Sequence, residues 1–133
     1  MTNVGFVSAV QYKENKDLIV VRARAPGHLT DIFGPLTEEI CSPDRDYSWR
    51  TILTRKEFEE GILNSIKKID YTNFKNSVQD EDLHDAYLDV WTDMFMYQRE
   101  VNKKIGLKPS YLHYSMPKEE QDRYQDWWLE RLA

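Results

Sequence analysis

The chain has little of what several common structural and functional classes require. Cys41 is the only cysteine in 133 residues, so an intramolecular disulfide is excluded, as is typical of proteins in a reducing compartment. The five glycines are not clustered, which argues against a glycine-rich phosphate-binding loop. No apolar run approaches the roughly 20 residues that a membrane-spanning helix needs. Residues 1–5 also lack a basic stretch followed by a long apolar run, so we expect an intracellular protein without a signal peptide.

Basic charge is scarce as well. The chain carries 18 Lys and Arg against 23 Asp and Glu, which gives a formal net charge of −5. Residues 1–70 have 10 basic and 11 acidic side chains, whereas residues 71–133 have 8 and 12, so the C-terminal half is the acidic half. Because binding to nucleic acid needs clustered Lys and Arg, direct contact with nucleic acid is not expected.

Apolar periodicity predicts strands first and helices later. Alternating and β-branched residues favour strands at residues 6–12, 18–24, 38–41 and 47–53. Helical spacing indicates a short helix over residues 28–33 that ends at Gly34, and a longer one from Phe58 to Ile69. Thr54 and Glu57 form a capping-box pattern just before that longer helix.

The rest of the pattern predicts helices, and together these elements define the fold class. A short helix is expected near residues 71–75, a long helix over residues 82–101, and a final amphipathic helix after Pro117. The order favours an α+β fold, with a small antiparallel sheet of three to four strands, helices packed on one face and a helical C-terminal half. We expect a compact domain over residues 1–104 and a helical extension over residues 105–133, packed on the same domain.

A row of aspartates on the long helix is the most informative feature of the sequence. The spacings of three, four and four residues place them on one face: Asp82, Asp85, Asp89 and Asp93. An apolar face opposes them: Leu83, Tyr87, Val90, Trp91 and Met94. The aspartates can form a solvated face, a surface for a basic protein patch, or metal ligands. Trp127 and Trp128 on the last helix are candidate apolar anchors for a partner.

A metal site is the weakest of these three interpretations. His84, Asp85 and Asp89 could supply two or three ligands, since carboxylates four residues apart converge on one helix face. Acidic residues near a helix start are favoured by the helix dipole in any case. No cofactor and no catalytic residue is predicted.

Arginines on the predicted strands offer a second candidate site. Arg22, Arg24 and Arg50, together with Lys75, could bind a phosphate or carboxylate. Such a site would suit a nucleotide-sequestering protein or a metal-dependent nucleotide hydrolase. The alternative is that the arginines form cross-strand ion pairs with acidic neighbours, namely Glu38, Glu39 or Asp46.

Five segments stand out as a set: GFVSAV at 5–10, LIVVRAR at 18–24, DYSWR at 46–50, DYTNFK at 70–75 and LHDAYLDVW at 83–91. Together they resemble a family of small uncharacterised proteins that tailed bacteriophages, prophages and some bacteria encode. The resemblance covers about residues 5 to 95. It implies no activity and no functional residues, but it does imply a phage-type accessory protein acting in the cytoplasm of a bacterial host cell.

Three functional hypotheses follow. The first is a non-enzymatic accessory protein that binds a host protein, such as a defence or nucleic-acid-processing complex, and modulates or inhibits it through the acidic helix. The second is the small-anion protein that would use the strand arginines. The third is a virion or assembly component, which would form a defined homo-oligomer.

Overall fold

The four predicted strands form one antiparallel sheet. A computed structural model describes residues 1–107 of the chain. Its strands are β1 (Val7–Gln11), β2 (Leu18–Ala23), β3 (Ile40–Cys41) and β4 (Trp49–Thr54), in the spatial order β1-β2-β4-β3. The fold is α+β, as the sequence predicts. The last strand begins at Trp49 and not at residue 47, so Tyr47 lies in the preceding loop.

Four helices complete the described part. They are α1 (His28–Phe33), α2 (Arg55–Lys67), α3 (Phe74–Ser77) and α4 (Glu81–Lys104). The predicted capping box is present, since the Thr54 hydroxyl accepts the Glu57 N–H at 3.2 Å and the Glu57 carboxylate accepts the Thr54 N–H at 2.7 Å. Helix α2 therefore begins at Arg55, which is three residues before its first apolar position.

One face of the sheet forms the main core. Ile19, Val21 and Ala23 alternate along β2 and are buried, because side chains of a strand point to opposite faces with a period of two. They form a cluster with the buried Leu29 of α1, against which partly buried residues of α1, β4 and α2 pack. The helices α1 and α2 cover this face.

The opposite face of the sheet carries a different set of side chains. Val20 lies directly opposite Val10 on one side and Ile52 on the other, and both of these partners are 42% exposed. Arg22 lies opposite Arg50 in the next register position of the same face. A strip of aliphatic side chains therefore adjoins a pair of arginines.

The beginning of α4 packs in a second cluster. Leu83 and Tyr87 are buried with Val78, and the rings of Phe6 and Phe74 pack against them. This confirms the first part of the predicted apolar face of α4.

The chain divides into two compact units, residues 1–90 and 91–133. Helix α4 begins in the first unit and continues in the second. In the second unit, Trp91 stacks on Phe95 with ring centroids 5.4 Å apart, but Trp91 and Met94 are 37% and 57% exposed. The prediction that these two residues continue the packed face is wrong for Met94, which is mostly exposed, and it stays a prediction for Trp91, which lies against the Phe95 ring.

The predicted division after Lys104 stays a prediction, and the expected helix after Pro117 lies outside the described residues. Within residues 1–107, no helix combines the length and the apolar character that crossing a membrane requires.

Candidate functional site

The aspartates of α4 keep the spacing that the sequence predicts. Asp82, Asp85 and Asp93 are exposed and Asp89 is half-buried. The side chain of Asp85 is 85% exposed. Asp82, Asp85 and Asp89 belong to the first compact unit, and Asp93 belongs to the second.

Asp80 has a separate role at the start of the same helix. Its carboxylate accepts the backbone N–H of Leu83 at 2.8 Å, and its carbonyl accepts that of His84 at 2.9 Å. This is how an N-cap residue satisfies the free N–H groups of a first helical turn. Asp80 therefore fixes where α4 begins and which face carries Asp82.

A cavity of about 810 Å³ adjoins the acidic face within the first unit. Three chain segments build it: the N-terminal residues, the chain from the end of β2 into α1, and the chain from Ser77 through the first half of α4. Its apolar lining includes Phe6, Leu83, Tyr87 and Val90. Its charged lining consists of Asp31, Asp80 and Asp82 with Arg24, so carboxylates outnumber guanidinium groups three to one.

His28 and Gly5 hold one wall of this cavity. The His28 Nδ1 accepts the backbone N–H of Phe6 at 3.3 Å. A Cβ at Gly5 would lie 2.9 Å from the His28 Cβ, so only glycine allows this approach of the N-terminal segment. The cavity thus depends on contacts between residues far apart in sequence.

The sequence patterns did not predict this cavity or the presence of Asp31 and Asp80 in its lining. An acidic residue three positions before Leu83 is an N-cap signal that was available for Asp80. No local pattern could have brought Asp31 to the same cavity as Asp82, because the two residues are far apart in sequence and only the tertiary structure makes both line it.

The weak metal alternative finds no support from the geometry. The His84 Nδ1 lies 3.5 Å from the Asp85 carboxylate, its neighbour in sequence. In the part of the chain that the structure describes, no group of three or more His, Cys, Asp or Glu side chains is placed to hold a metal ion.

The strand arginines gather around one loop residue, Tyr47. The guanidinium carbons of Arg22 and Arg24 lie 4.6 and 4.3 Å from the centroid of its ring. Arg50 donates a hydrogen bond to the Tyr47 carbonyl at 3.0 Å. Arg22 also donates to the Ser8 hydroxyl at 2.9 Å, and Arg24 donates to the Asp46 carbonyl at 2.8 Å.

The expected ion pairs of these arginines are not formed. The carboxylate of Glu39 instead accepts backbone N–H groups at the start of α1, and that of Asp46 accepts the N–H of Tyr47 at 2.9 Å. For residues 1–107 the structure shows no ion pair between any of the three arginines and an acidic side chain. Glu39 does not pair with the arginines because its carboxylate is hydrogen-bonded to backbone N–H groups at the start of α1.

Three further predicted site residues remain: Lys75, Trp127 and Trp128. Lys75 lies on α3, next to Phe74 of the second cluster. Trp127 and Trp128 lie outside the described residues.

Comparison with known proteins gives no information on function, so function is inferred from the geometry of the site. No protein-family model, no curated protein and no solved structure matches the chain. The resemblance to the phage-encoded family stays a prediction.

Proposed function

We propose that this protein is a phage-type accessory protein that binds a host protein and modulates or inhibits it. The contact surface is the first half of α4 together with the adjoining cavity. The partner segment carries a lysine or arginine next to a large apolar side chain.

The position of Asp82 is the observation that carries this proposal. Asp82 belongs to the exposed acidic face of α4 and also lines the cavity, where Asp31 and Asp80 add two more carboxylates. A cation entering the cavity would meet several acceptors, and charge-assisted hydrogen bonds of this kind are about twice as strong as neutral ones.

The apolar lining of the same cavity suits a large apolar side chain of the partner. Phe6, Leu83 and Tyr87 belong to the second core cluster and also line the cavity. Binding energy at protein interfaces is concentrated in residues that fill such pockets, with charged groups around them. An aliphatic or aromatic side chain beside the basic residue would fill this space.

The acidic face also affects how fast a basic partner arrives. Carboxylates on one face attract a basic surface over about one Debye length, which is roughly 8 Å at physiological ionic strength. The association rate with the partner should therefore fall as salt is added.

Charge reversal on α4 tests the proposal. The double variant Asp82→Lys with Asp85→Lys should lose a stoichiometric partner that the unaltered protein retains from a bacterial lysate. The matched control is Glu59→Lys with Asp70→Lys, which makes the same change in net charge at two exposed positions away from α4. Affinity purification at low and high salt, followed by mass spectrometry, gives the readout, and thermal unfolding shows whether each variant is folded.

A second variant tests the cavity separately. Ala86 lines the cavity and is exposed, so Ala86→Trp should fill the space without disturbing a buried side chain. With the purified partner, we expect affinity to fall by at least about tenfold, or 1.4 kcal/mol. If the double reversal binds the same partner with unchanged affinity and salt dependence, α4 is not the contact surface.

A further inference from the structure

Arg22 and Arg50 place like charges directly opposite each other on β2 and β4. Like charges in this arrangement destabilise a sheet unless something compensates for them. Arg24 brings a third positive charge to the same place, since its guanidinium lies over the Tyr47 ring together with that of Arg22. No carboxylate among residues 1–107 forms an ion pair with any of the three.

The hydrogen-bonding capacity of these arginines is largely unused. A guanidinium has five N–H donors. In the described part of the chain, each of the three donates to one residue only: Arg22 to Ser8, Arg50 to Tyr47 and Arg24 to Asp46. The Nε atoms of Arg22 and Arg50 are buried, and no acceptor among residues 1–107 reaches them. The donors left for a ligand are the terminal N–H groups that these three contacts do not use.

The arginines are also held in place before any ligand arrives. Arg22 and Arg50 are half-buried and lie on paired strands, and the Tyr47 ring fixes the guanidinium of Arg22. Groups that are ordered in advance lose less conformational entropy when they bind. The Ser8 hydroxyl accepts a bond from Arg22, so its own hydrogen can be donated to a ligand.

We propose that Arg22, Arg50 and Arg24 form a binding site for a phosphate group, either inorganic phosphate or a phosphorylated small molecule. A phosphate oxygen pair matches the two parallel N–H donors that the terminal nitrogens of one guanidinium present. The adjoining loop carries the exposed Asp44 and Asp46, which would repel further negative charge and so disfavour a polyanion. The proposal does not depend on the function proposed for α4.

Thermal unfolding in phosphate tests the site. Inorganic phosphate is titrated into the unaltered protein at constant ionic strength, with sodium chloride as the reference salt. At a phosphate concentration of 100 times Kd, the melting temperature should have risen by roughly 10 °C, and above Kd it should rise with the logarithm of the phosphate concentration. Isothermal titration calorimetry should give one phosphate per chain.

Variants separate specific binding from the general stabilising effect of phosphate, which is excluded from protein surfaces. Arg50→Gln and Arg22→Gln should show only the general effect. The control Arg99→Gln removes the same charge at an exposed position on α4 and should respond as the unaltered protein does. Arg50→Lys keeps the charge but loses the two parallel N–H donors, so its affinity should lie between those of the unaltered protein and Arg50→Gln.

A structural role for the arginines predicts a different result. If they only support the sheet, Arg50→Gln melts at a lower temperature without phosphate and responds to phosphate as the unaltered protein does. On our proposal, its melting temperature without phosphate is unchanged or higher, because a like charge has been removed. Two results would overturn the phosphate site. The first is that phosphate raises the melting temperature of the unaltered protein no more than that of both Gln variants. The second is that the protein binds citrate but not phosphate.

Discussion

The side chain of Glu39 supports the start of α1 from outside that helix. Its carboxylate accepts the N–H groups of Gly27 and Leu29 at 3.1 Å and that of Thr30 at 3.3 Å. Gly27 stands at the N-cap position with φ of 84° and has no side chain that could do this. Glu39, ten positions after Leu29, therefore supplies the cap of α1. Leu29 itself is buried in the main core.

Replacing Glu39 by alanine should destabilise the protein by about 1–3 kcal/mol, because buried N–H groups would lose their acceptor. The free energy of unfolding in urea measures this. Glu38→Ala is the matched control at the exposed neighbouring position, with an expected change within about 0.5 kcal/mol. Equal effects of the two substitutions would show that the carboxylate of Glu39 does not cap α1.

At the scale of elements, α1 and α2 approach each other through a glycine. Gly61 is buried on α2, and a Cβ built there would lie 2.8 Å from the Cε1 of Phe33 on α1. The Phe33 ring also stacks on Phe58 of α2, with centroids 5.6 Å apart. Both contacts need the short distance between helices that a glycine permits.

Gly61→Ala therefore tests whether packing outweighs helix propensity. In an open helix, this change would stabilise by roughly 0.5–1 kcal/mol. Here the added methyl group meets the Phe33 ring, and overpacking costs about 1–3 kcal/mol, so we expect net destabilisation in urea unfolding. Asn64→Ala, at an exposed position of α2, should stabilise slightly. A gain in stability for Gly61→Ala would mean that the helices can move apart at little cost.

The elements themselves were largely predictable, because their signals are local. The capping box of Thr54 and Glu57 and the glycine stop at Gly34 depend only on residues close in sequence, and the structure shows both features. The extent of burial along α4 was not predictable. Helical spacing gives the same weight to Tyr87 and Met94, yet Tyr87 is buried with Val78 and Phe74, whereas Met94 is 57% exposed.

At the scale of the whole molecule, one hydrogen bond joins the two ends of the first unit. The Tyr87 hydroxyl donates to the Thr2 carbonyl at 2.8 Å, across 85 positions of sequence. Burial raises the pKa of Tyr87 to about 12, from the ordinary value of 10.0. The folded protein therefore holds this proton more tightly than the unfolded chain does.

The pH dependence follows from that difference. Below pH 10 the phenol is protonated in both the folded and the unfolded state, and its contribution to stability is complete. Between about pH 10 and pH 12 the unfolded chain releases the proton while the folded protein keeps it. The free energy of unfolding therefore falls in this range. Tyr87→Phe should cost about 0.5–1.5 kcal/mol at neutral pH by loss of the hydrogen bond. This deficit should shrink as the pH rises from 10 towards 12, as measured by urea unfolding at a series of pH values.

A conservative exposed substitution serves as the reference for this measurement. Tyr97→Phe alters a residue that is 63% exposed and should change the unfolding free energy at neutral pH by less than about 0.5 kcal/mol. A deficit of Tyr87→Phe that stays constant up to pH 12 would contradict the raised pKa.

The sequence by itself determined the α+β class, the order of strands and helices and the acidic face of α4. Strand alternation, helical spacing and caps act over a few residues, so they can be read directly from the chain. Only the tertiary structure decided that Asp31 and Asp82 line one cavity, that Arg22 and Arg50 lie opposite each other, and that Glu39 caps α1 instead of pairing with them. The physical reason is that strand register and packing between distant segments set these distances, and no short stretch of sequence contains that information.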